Sequence, residues 1–574
     1  MSSIDWIVLL GTLAGIIAYG VYKGRGQHGA ESYLMADRKM PWYVVLLGIM
    51  ATQASAITFL SAPGQAYTDG MRFVQYYFGL PLAMVVICVT FIPIFQRLNV
   101  YTAYEYLERR FDRKTRLLTS VLFLLSRGLS TGISIYAPSI ILSSIMGWNI
   151  YLTNIITGGL LIIYTYTGGA KAIAHTQKLQ FLIILGSMAI AGFLVVHNLP
   201  ADVSMSDALY VAGKSGKLNV ITSGVGGEGF DWKDRYNIWS GIFGGFFLAL
   251  SYFGTDQSQV GRYLSAKDTR ESRLGLLLNG FVKIPMQFLI LLIGALLFAF
   301  YSFRPAPVHF NESALAAVER LRPEAMEQIQ ARYSVIQQEY EQATHQLVRT
   351  KGDEAASLAA MQRFSLAKQD LQLTRDSVRR LMTQANSGQD SNDTNYIFLY
   401  FVKNTLPVGL VGLLFAVIFL ASWGSISAAL NSLASSSMLD IQLLDNNQKL
   451  PEKRQLLLGR LHTLGWGIFC IAVAMFATKL GSLIEAVNIL GSLFYGTILG
   501  IFLVAFYVKK VDGNTVFFAA LLAEVAVVAV YWADVISFLW LNVIGAGVVV
   551  LVCVLRNILG RITGISENGE RKQG

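Results

Sequence analysis

Charge is what this sequence has least of. Only 14% of its 574 residues are charged, where a soluble chain carries about a quarter. Cysteine is scarce too: Cys88, Cys470 and Cys553 all fall inside apolar stretches, so a disulfide framework and a thiolate zinc site are excluded and the three read as packing residues. The six histidines, His28, His175, His197, His309, His345 and His462, have no metal-ligand spacing. No phosphate-binding Walker loop and no nucleophile-elbow serine occurs, which argues against an ATP-driven pump and against an enzyme. The first apolar stretch, Trp6 to Tyr22, lacks a preceding basic region and a small-residue cleavage site, so it reads as a retained span and not as a signal peptide.

What fills the space is apolar. Hydrophobic residues make up 54% of the chain and the mean hydropathy is +0.49. They come in blocks of about 18–25 residues, the length that crosses the hydrocarbon core as a helix. Backbone polar groups in lipid must be satisfied within the segment, so the blocks are helical, and no alternating barrel pattern competes. The sequence predicts an all-α membrane protein with about 13 transmembrane helices. Two of the predicted spans cover residues 150–168 and 178–198, and one long one covers 396–438. The formal charge of +10 and pI of about 9.3 come from loops. With the N-terminus outside, inner loops hold about 26 Lys and Arg against about 6 outside. This predicts an outer N-terminus, a cytoplasmic C-terminus and lipid as surroundings, with no role for nucleic acid. The absence of a eukaryotic targeting signal points to a bacterial inner membrane.

One segment does not suit a membrane. Residues 304–392 are polar, yet Met326, Ile329, Tyr333, Ile336, Tyr340, Ala343 and Leu347 recur at three- and four-residue steps. Ala360, Phe364, Ala367, Leu371, Thr374, Val378 and Leu381 repeat the pattern after Lys351-Gly352-Asp353. Two such seams joined by a turn predict an extramembrane (periplasmic) helical hairpin. It reads either as a gating arm that docks a periplasmic protein partner or as an insertion tolerated in an outer loop.

Polar groups inside the apolar helices carry the chemistry. Residues 50–64 are rich in small and hydroxyl side chains around a predicted interruption, which suits a broken helix whose free carbonyls bind a cation. The serine-rich stretch 421–437 places Ala421 and Ser425 one turn apart on one face. Asp256 and Lys283 are ionisable residues within spans, and such residues usually face an interior cavity. Glu485 and Lys479 sit near an outer end and read as interfacial.

In sequence order, five stretches resemble the solute:sodium symporter family over nearly the whole chain outside the insert. They are Tyr101 to Phe111, Tyr166 to Ala172 with Thr176 and Gln180, Tyr252 to Leu264, Leu430 to Ser432 with Asp440-Ile441, and Gly491 to Gly496 with Leu499-Gly500. The resemblance implies an inverted five-plus-five helix repeat of the leucine-transporter type. The first span and inner loop would be residues 1–39 and the first repeat 40–200. An outer loop, 201–236, would precede core helices six and seven at 237–303. After the insert, core helices eight to ten would occupy 393–507, and two further spans with a cytoplasmic tail 508–574.

The resemblance also implies sodium symport of a small organic solute by alternating access. Each ion drawn down 100 mV supplies about 2.3 kcal/mol. Sodium would be bound by backbone oxygens of Ala51 and Ala54 together with Ala421, Gly424 and Ser425. Gly424 departs from the family, which has hydroxyls at both of the last two positions, and Ser427 on the neighbouring turn is a substitute for the missing one. Gln177 stands where relatives with a second sodium site carry aspartate, and Ala428 where a further hydroxyl is common, so one sodium per solute is expected. Gln53, Thr58, Tyr77, Asp256 and Lys283 would surround the solute, either a sugar or a small organic anion. Two other readings remain open at this stage: a membrane sensor that signals through the 304–392 segment, and a proton-coupled symporter.

Overall fold

The computed structural model describes residues 1–24, 40–98, 100, 102–227, 229–384, 391–442, 451–477 and 480–562. Tyr101, Lys479, residues 25–39 and 443–450, and the residues from 563 lie outside the described residues. Apart from a two-stranded turn (Val225–Gly226 with Gly229–Phe230), the described secondary structure is helical.

Helix α1 (Ser3–Gly24) opens the chain, and α2 (Trp42–Gln53) and α3 (Ala56–Asp69) follow as a bent pair. Next come α4 (Met71–Leu98), the short α5 (Ala103–Arg110), α6 (Arg113–Met146) and α7 (Ile150–His197). After the outer helix α8 (Met205–Lys214), α9 (Gly245–Thr255) and α10 (Gln257–Leu264) form a second interrupted pair, continued by α11 (Thr269–Phe303). The polar segment folds as α12 (Glu312–Leu321), α13 (Pro323–Arg349) and α14 (Glu354–Gln384). Then follow α15 (Ile397–Thr405), α16 (Leu410–Ser436), α17 (Glu452–Ala474), α18 (Leu483–Tyr507), α19 (Gly513–Ala533) and α20 (Phe538–Ile562). Among the described residues nine helices are long and apolar enough to cross a membrane, or ten with α2 and α3 taken as one broken span.

Helix starts follow local chemistry. Asp112, Asp268 and Asn311 each accept a bond from a backbone N–H in the first turn of α6, α11 and α12, satisfying a donor that the helix itself leaves open. Residues 150–197 are helical, yet Tyr164 Oη lies 3.1 Å from Thr176 Oγ1, where a straight helix would hold residues twelve apart at about 18 Å, so the chain bends between the two apolar stretches. One sequence expectation needs adjusting. The long 396–438 stretch instead breaks between α15 and α16, where Gly409 takes φ +90°, a conformation open to glycine and strained for other residues.

Helices α13 and α14 lie along each other, reversing direction near Gly352. They do not keep their seams to themselves. Tyr340, Leu347, Ala360 and Phe364 join the core of the transmembrane body, while Met326, Tyr333, Val378 and Met382 pack with Val308, Ala314 and Val318. Tyr340 Oη lies 2.8 Å from Ser302 Oγ at the end of α11.

Candidate functional site

Two chain breaks face the middle of the molecule. The α2–α3 pair bends by 58°. Ending α2 at Gln53 strips its last carbonyls of their intrahelical partners. Two of these find substitutes: Ala54 N–H donates to Met50 O at 2.7 Å, and Thr58 Oγ1 donates to Gln53 O at 3.0 Å. Thr58 N–H goes to Ser55 O at 2.9 Å, so it is not spent on Ala54 O. Carbonyls of the Ala51–Ala54 stretch are thereby left for another ligand. The second break falls at Asp256, which caps α10: its Oδ1 accepts from Ser258 N–H at 2.8 Å and Ser258 Oγ at 2.6 Å.

Helix α16 packs against α2, α3 and α7. Ser425 Oγ donates to Ala421 O at 3.0 Å, with Ser422 O at 3.2 Å. A hydroxyl so engaged keeps its lone pairs for a cation. Ser427 does not share that face. Two helical steps rotate it by about 200°, and its Oγ donates to Trp423 O at 2.5 Å. It therefore gives no substitute for the hydroxyl missing at 424. From α7, Gln177 Nε2 donates to Gly424 O at 2.9 Å and comes within 3.5 Å of Thr52 Oγ1.

Between these elements lies a cavity of about 150 Å³. Four of the five expected solute residues line it: Gln53, Thr58, Tyr77 and Lys283. Gln53 is held by a 3.0 Å bond from its Nε2 to Asn279 Oδ1. Lys283 is buried, with its ammonium 5.5 Å from the centre of the Tyr77 ring, a cation–π contact. Asp256 is the exception. It is buried behind Tyr495, whose hydroxyl donates to its Oδ2 at 2.8 Å, and Tyr495 is the one that lines the cavity. Ser425 also lines the cavity, while Ala51, Ala54, Ala421 and Gly424 stand behind it.

The structure adds a residue that sequence reasoning missed. Arg127, in the middle of α6, reaches the same cavity. Its Nη2 bonds Ser258 Oγ, its Nε stands 3.9 Å from Asp256 Oδ2, and its guanidinium lies 5.6 Å from the Tyr252 ring centre. A charged residue amid an apolar run is itself the signal that would have found it.

Polar contacts join α18 to α3 beyond the cavity, next to Ile484 of its lining. Glu485 at the start of α18 accepts from Arg235 at 2.7 Å, Tyr236 Oη at 3.1 Å and Gln65 of α3 at 3.4 Å. Elsewhere Arg116 joins Glu108 at 2.6 Å to Asp440 at 2.7 Å. Tyr104 Oη donates to Thr255 O at 2.9 Å, tying α5 to the second break.

Comparison with known proteins places this arrangement. The model of the sodium:solute symporter family matches residues 33–323 and 377–523. The sodium-dependent multivitamin transporter of Oryctolagus cuniculus is 28% identical over 87% of this chain and 66% of its own length. The sodium/sialic acid symporter NanT of Aliivibrio fischeri is 26% identical over 96% of this chain and 92% of its own. Among solved structures, the substrate-bound outward-open state of a Na⁺-coupled sialic acid symporter superposes with a TM-score of 0.75. It is 22% identical and covers 97% of this chain and 98% of that one. These relatives are transporters, not enzymes, and their names print sodium as the coupling ion. The chain belongs to the sodium:solute symporter family.

Proposed function

We propose that this member of the sodium:solute symporter family imports a small organic anion together with one sodium ion, by alternating access across a bacterial inner membrane. The observation that carries the anion is the charge of the cavity. Lys283 and Arg127 both line it, and the nearest acid, Asp256, sits behind the wall, engaged by Tyr495 and Ser258. Lys283 makes no ion pair among the described residues. A buried cation without a counter-ion is costly, and a carboxylate solute supplies one. Gln53, Thr58 and Tyr77 would orient that solute beside Lys283. A sugar would leave the excess positive charge uncompensated.

Sodium would sit between the α2–α3 break and α16, held by oxygens of Ala51, Ala54, Ala421 and Ser425. This is a set of hard neutral oxygens of the kind that suits a hard cation. One ion per solute is supported by Gln177: an amide N–H donates to Gly424 O where relatives with two sodium sites carry a carboxylate. The reading includes thirteen spans arranged as two inverted sets of five, residues 40–200 and 237–507, each opening with a broken helix. It places the N-terminus outside, the C-terminus in the cytoplasm and the 304–392 segment on the outer face. The insert packs on α11 of the same chain, which supports a part in the transporter itself.

The test is uptake into proteoliposomes under an imposed inward sodium gradient. Labelled sialic acid and a labelled monocarboxylate are the probes, with a labelled neutral hexose as the contrast. Sodium-dependent accumulation of an acid and not of the hexose is expected. Uptake of the hexose alone would contradict the anion reading.

A further inference from the structure

Two cavities follow one another along α3 and α18. The buried one takes Ile57 and Thr58 from α3, and Ile484, Val487 and Asn488 from α18. A second, of about 800 Å³, takes Gln65, Thr68 and Asp69 from α3, and Glu485 with the preceding Ser482 from the start of α18. Arg379 of α14 and Thr394 also line it, so it lies on the side of the 304–392 segment. Ser61 stands between the two on α3. It is buried, lies 3.4 Å from Ser482 Oγ and accepts from Ile484 N–H at 3.4 Å. Gln65 reaches Glu485 at 3.4 Å. All three contacts are long for hydrogen bonds, so they hold the wall between the cavities weakly.

The short contacts come from the loop ahead of α9. Arg235 Nη1 donates to Glu485 Oε2 at 2.7 Å. The residue before it, Asp234, accepts from Arg72 of α4 at 2.8 Å, and Arg72 is held again by Asp69 at 2.7 Å. Residues 234–235 thus form a strap from the α3–α4 corner to α18. Its α18 end rests on one N–H of an arginine whose side chain is 54% exposed, and exposed pairs of this kind contribute little. Arg235 lines the outer cavity, and among the described residues its Nε and Nη2 make no hydrogen bond. A free carboxylate fits the two-nitrogen edge of a guanidinium with two parallel bonds, where Glu485 takes one.

We infer that the outer cavity is a second binding site for the solute, in which Arg235 takes the carboxylate before the buried cavity does, and that moving Arg235 from Glu485 to the solute loosens the wall between the two. The inference rests on the reading under Proposed function that the solute is an anion arriving from the side of the insert. Once Arg235 has turned away, Glu485, with its side chain 14% exposed, is left without its counter-charge and beside a second carboxylate. Repulsion between the two acids favours parting α18 from α3. A neutral solute cannot exchange with Glu485 in this way, so the step also selects acids.

The experiment has two readouts on the full-length protein. Val487→Cys puts a thiol in the buried cavity, and its labelling by a membrane-impermeant thiol reagent applied outside spheroplasts, without solute, reports the wall. The protein without that cysteine is the blank, since Cys88, Cys470 and Cys553 are buried. Adding Arg235→Gln or Glu485→Gln is expected to speed labelling about three- to fivefold. The second readout is uptake of labelled sialic acid or lactate into proteoliposomes under a sodium gradient. Both variants loosen the wall but only one removes the anchor. The kcat/KM is therefore expected to be about tenfold lower in Arg235→Gln than in Glu485→Gln. Arg235→Lys, which keeps the charge, is expected to stay within about threefold of the wild type. Labelling at the parent rate in both variants, or equal kcat/KM in Arg235→Gln and Glu485→Gln, overturns the inference while the anion reading stands. Uptake of a labelled hexose by the wild type in place of either acid overturns the anion reading and the carboxylate site together.

Discussion

Lys283 and Arg127 set the electrostatic character of the cavity, and they are not equivalent. Arg127 has Ser258 and Asp256 beside it, whereas among the described residues Lys283 has no ion pair and faces the Tyr77 ring. Removing the lysine charge therefore removes a counter-charge for the solute without stranding a carboxylate. Lys283→Met is expected to raise the KM for an acidic solute about tenfold or more, since a buried charged pair is worth more than about 1.4 kcal/mol. The sodium-dependent rise in thermal stability is expected to persist. Uptake kinetics and a sodium melt on one preparation check both halves. Lys283 was legible in the sequence as an ionisable residue in an apolar span, and Arg127 carried the same signal. Asp256 was legible as buried and intramembrane, but not as a cap behind Tyr495, because that depends on where α18 lies. The bond from Gln177 to Gly424 O was not legible either: the two residues are distant in the chain and meet through the packing of α7 on α16.

At the scale of elements, the 304–392 segment is the least expected part. Its heptad seams were readable from spacing. Its attachment was not, because that depends on single polar residues at its end. Asp393, just after α14, is buried and takes Arg375 at 2.6 Å and Arg379 at 3.0 Å. Phe310 N–H donates to it at 3.0 Å. Burial alone would push the Asp393 carboxyl up. Arg375, His309 and Arg379 outweigh it and hold the group well below the usual carboxylate range. The next residue, Thr394, presses its carbonyl onto α3: a Cβ at Gly64 would lie 1.9 Å from it. Asn395 ties to Gly481 O at 2.8 Å, ahead of α18. The segment's end thus braces both the outer half of the first broken helix and the start of α18.

Asp393→Asn is expected to cost about 3 kcal/mol of stability, because it leaves Arg375 buried without its counter-charge. Arg379→Gln should cost less, since Arg379 is 30% exposed and Arg375 remains. Thermal unfolding of the variants decides. The acid side follows from the signs. A carboxyl with a depressed folded-state value contributes fully above its unfolded value of about 3.9 and loses that contribution only below it. His309 acts earlier. Burial pushes its imidazole down, against the pull of Asp393, so the unfolded chain takes up the proton first. Its contribution is complete above about pH 6.5 and declines as pH falls toward the lowered folded value. The wild type should lose stability as pH falls below about 6.5, and His309→Gln should flatten that slope in a pH series of melts.

For the whole molecule, apolar run lengths made the class of protein legible and family motifs made its sodium coupling legible. Continuity was less so: the long 396–438 stretch breaks at Gly409 between α15 and α16. The cavity lies between two broken helices, with one polar cluster at Glu485, Gln65 and Arg235 and another at Arg116, Glu108 and Asp440. The proposed stoichiometry has an electrical consequence. One sodium moving with one monovalent anion carries no net charge, so the membrane potential contributes nothing and only the concentration gradients drive uptake. Uptake of a monovalent acid should be unchanged when a potassium diffusion potential is imposed, whereas two sodium ions per anion would make it rise with an inside-negative potential.

The account stands most directly on sodium binding between the α2–α3 break and α16, and that can be measured without knowing the solute. The measurement is the melting temperature of the purified protein across a sodium series, with choline holding ionic strength constant, for wild type and Ser425→Ala. A ligand at a hundred times its dissociation constant adds about 2.7 kcal/mol to the folded state. The account predicts a sodium-dependent rise in wild-type melting temperature that Ser425→Ala loses. Equal melting of the wild type in sodium and in choline would contradict it.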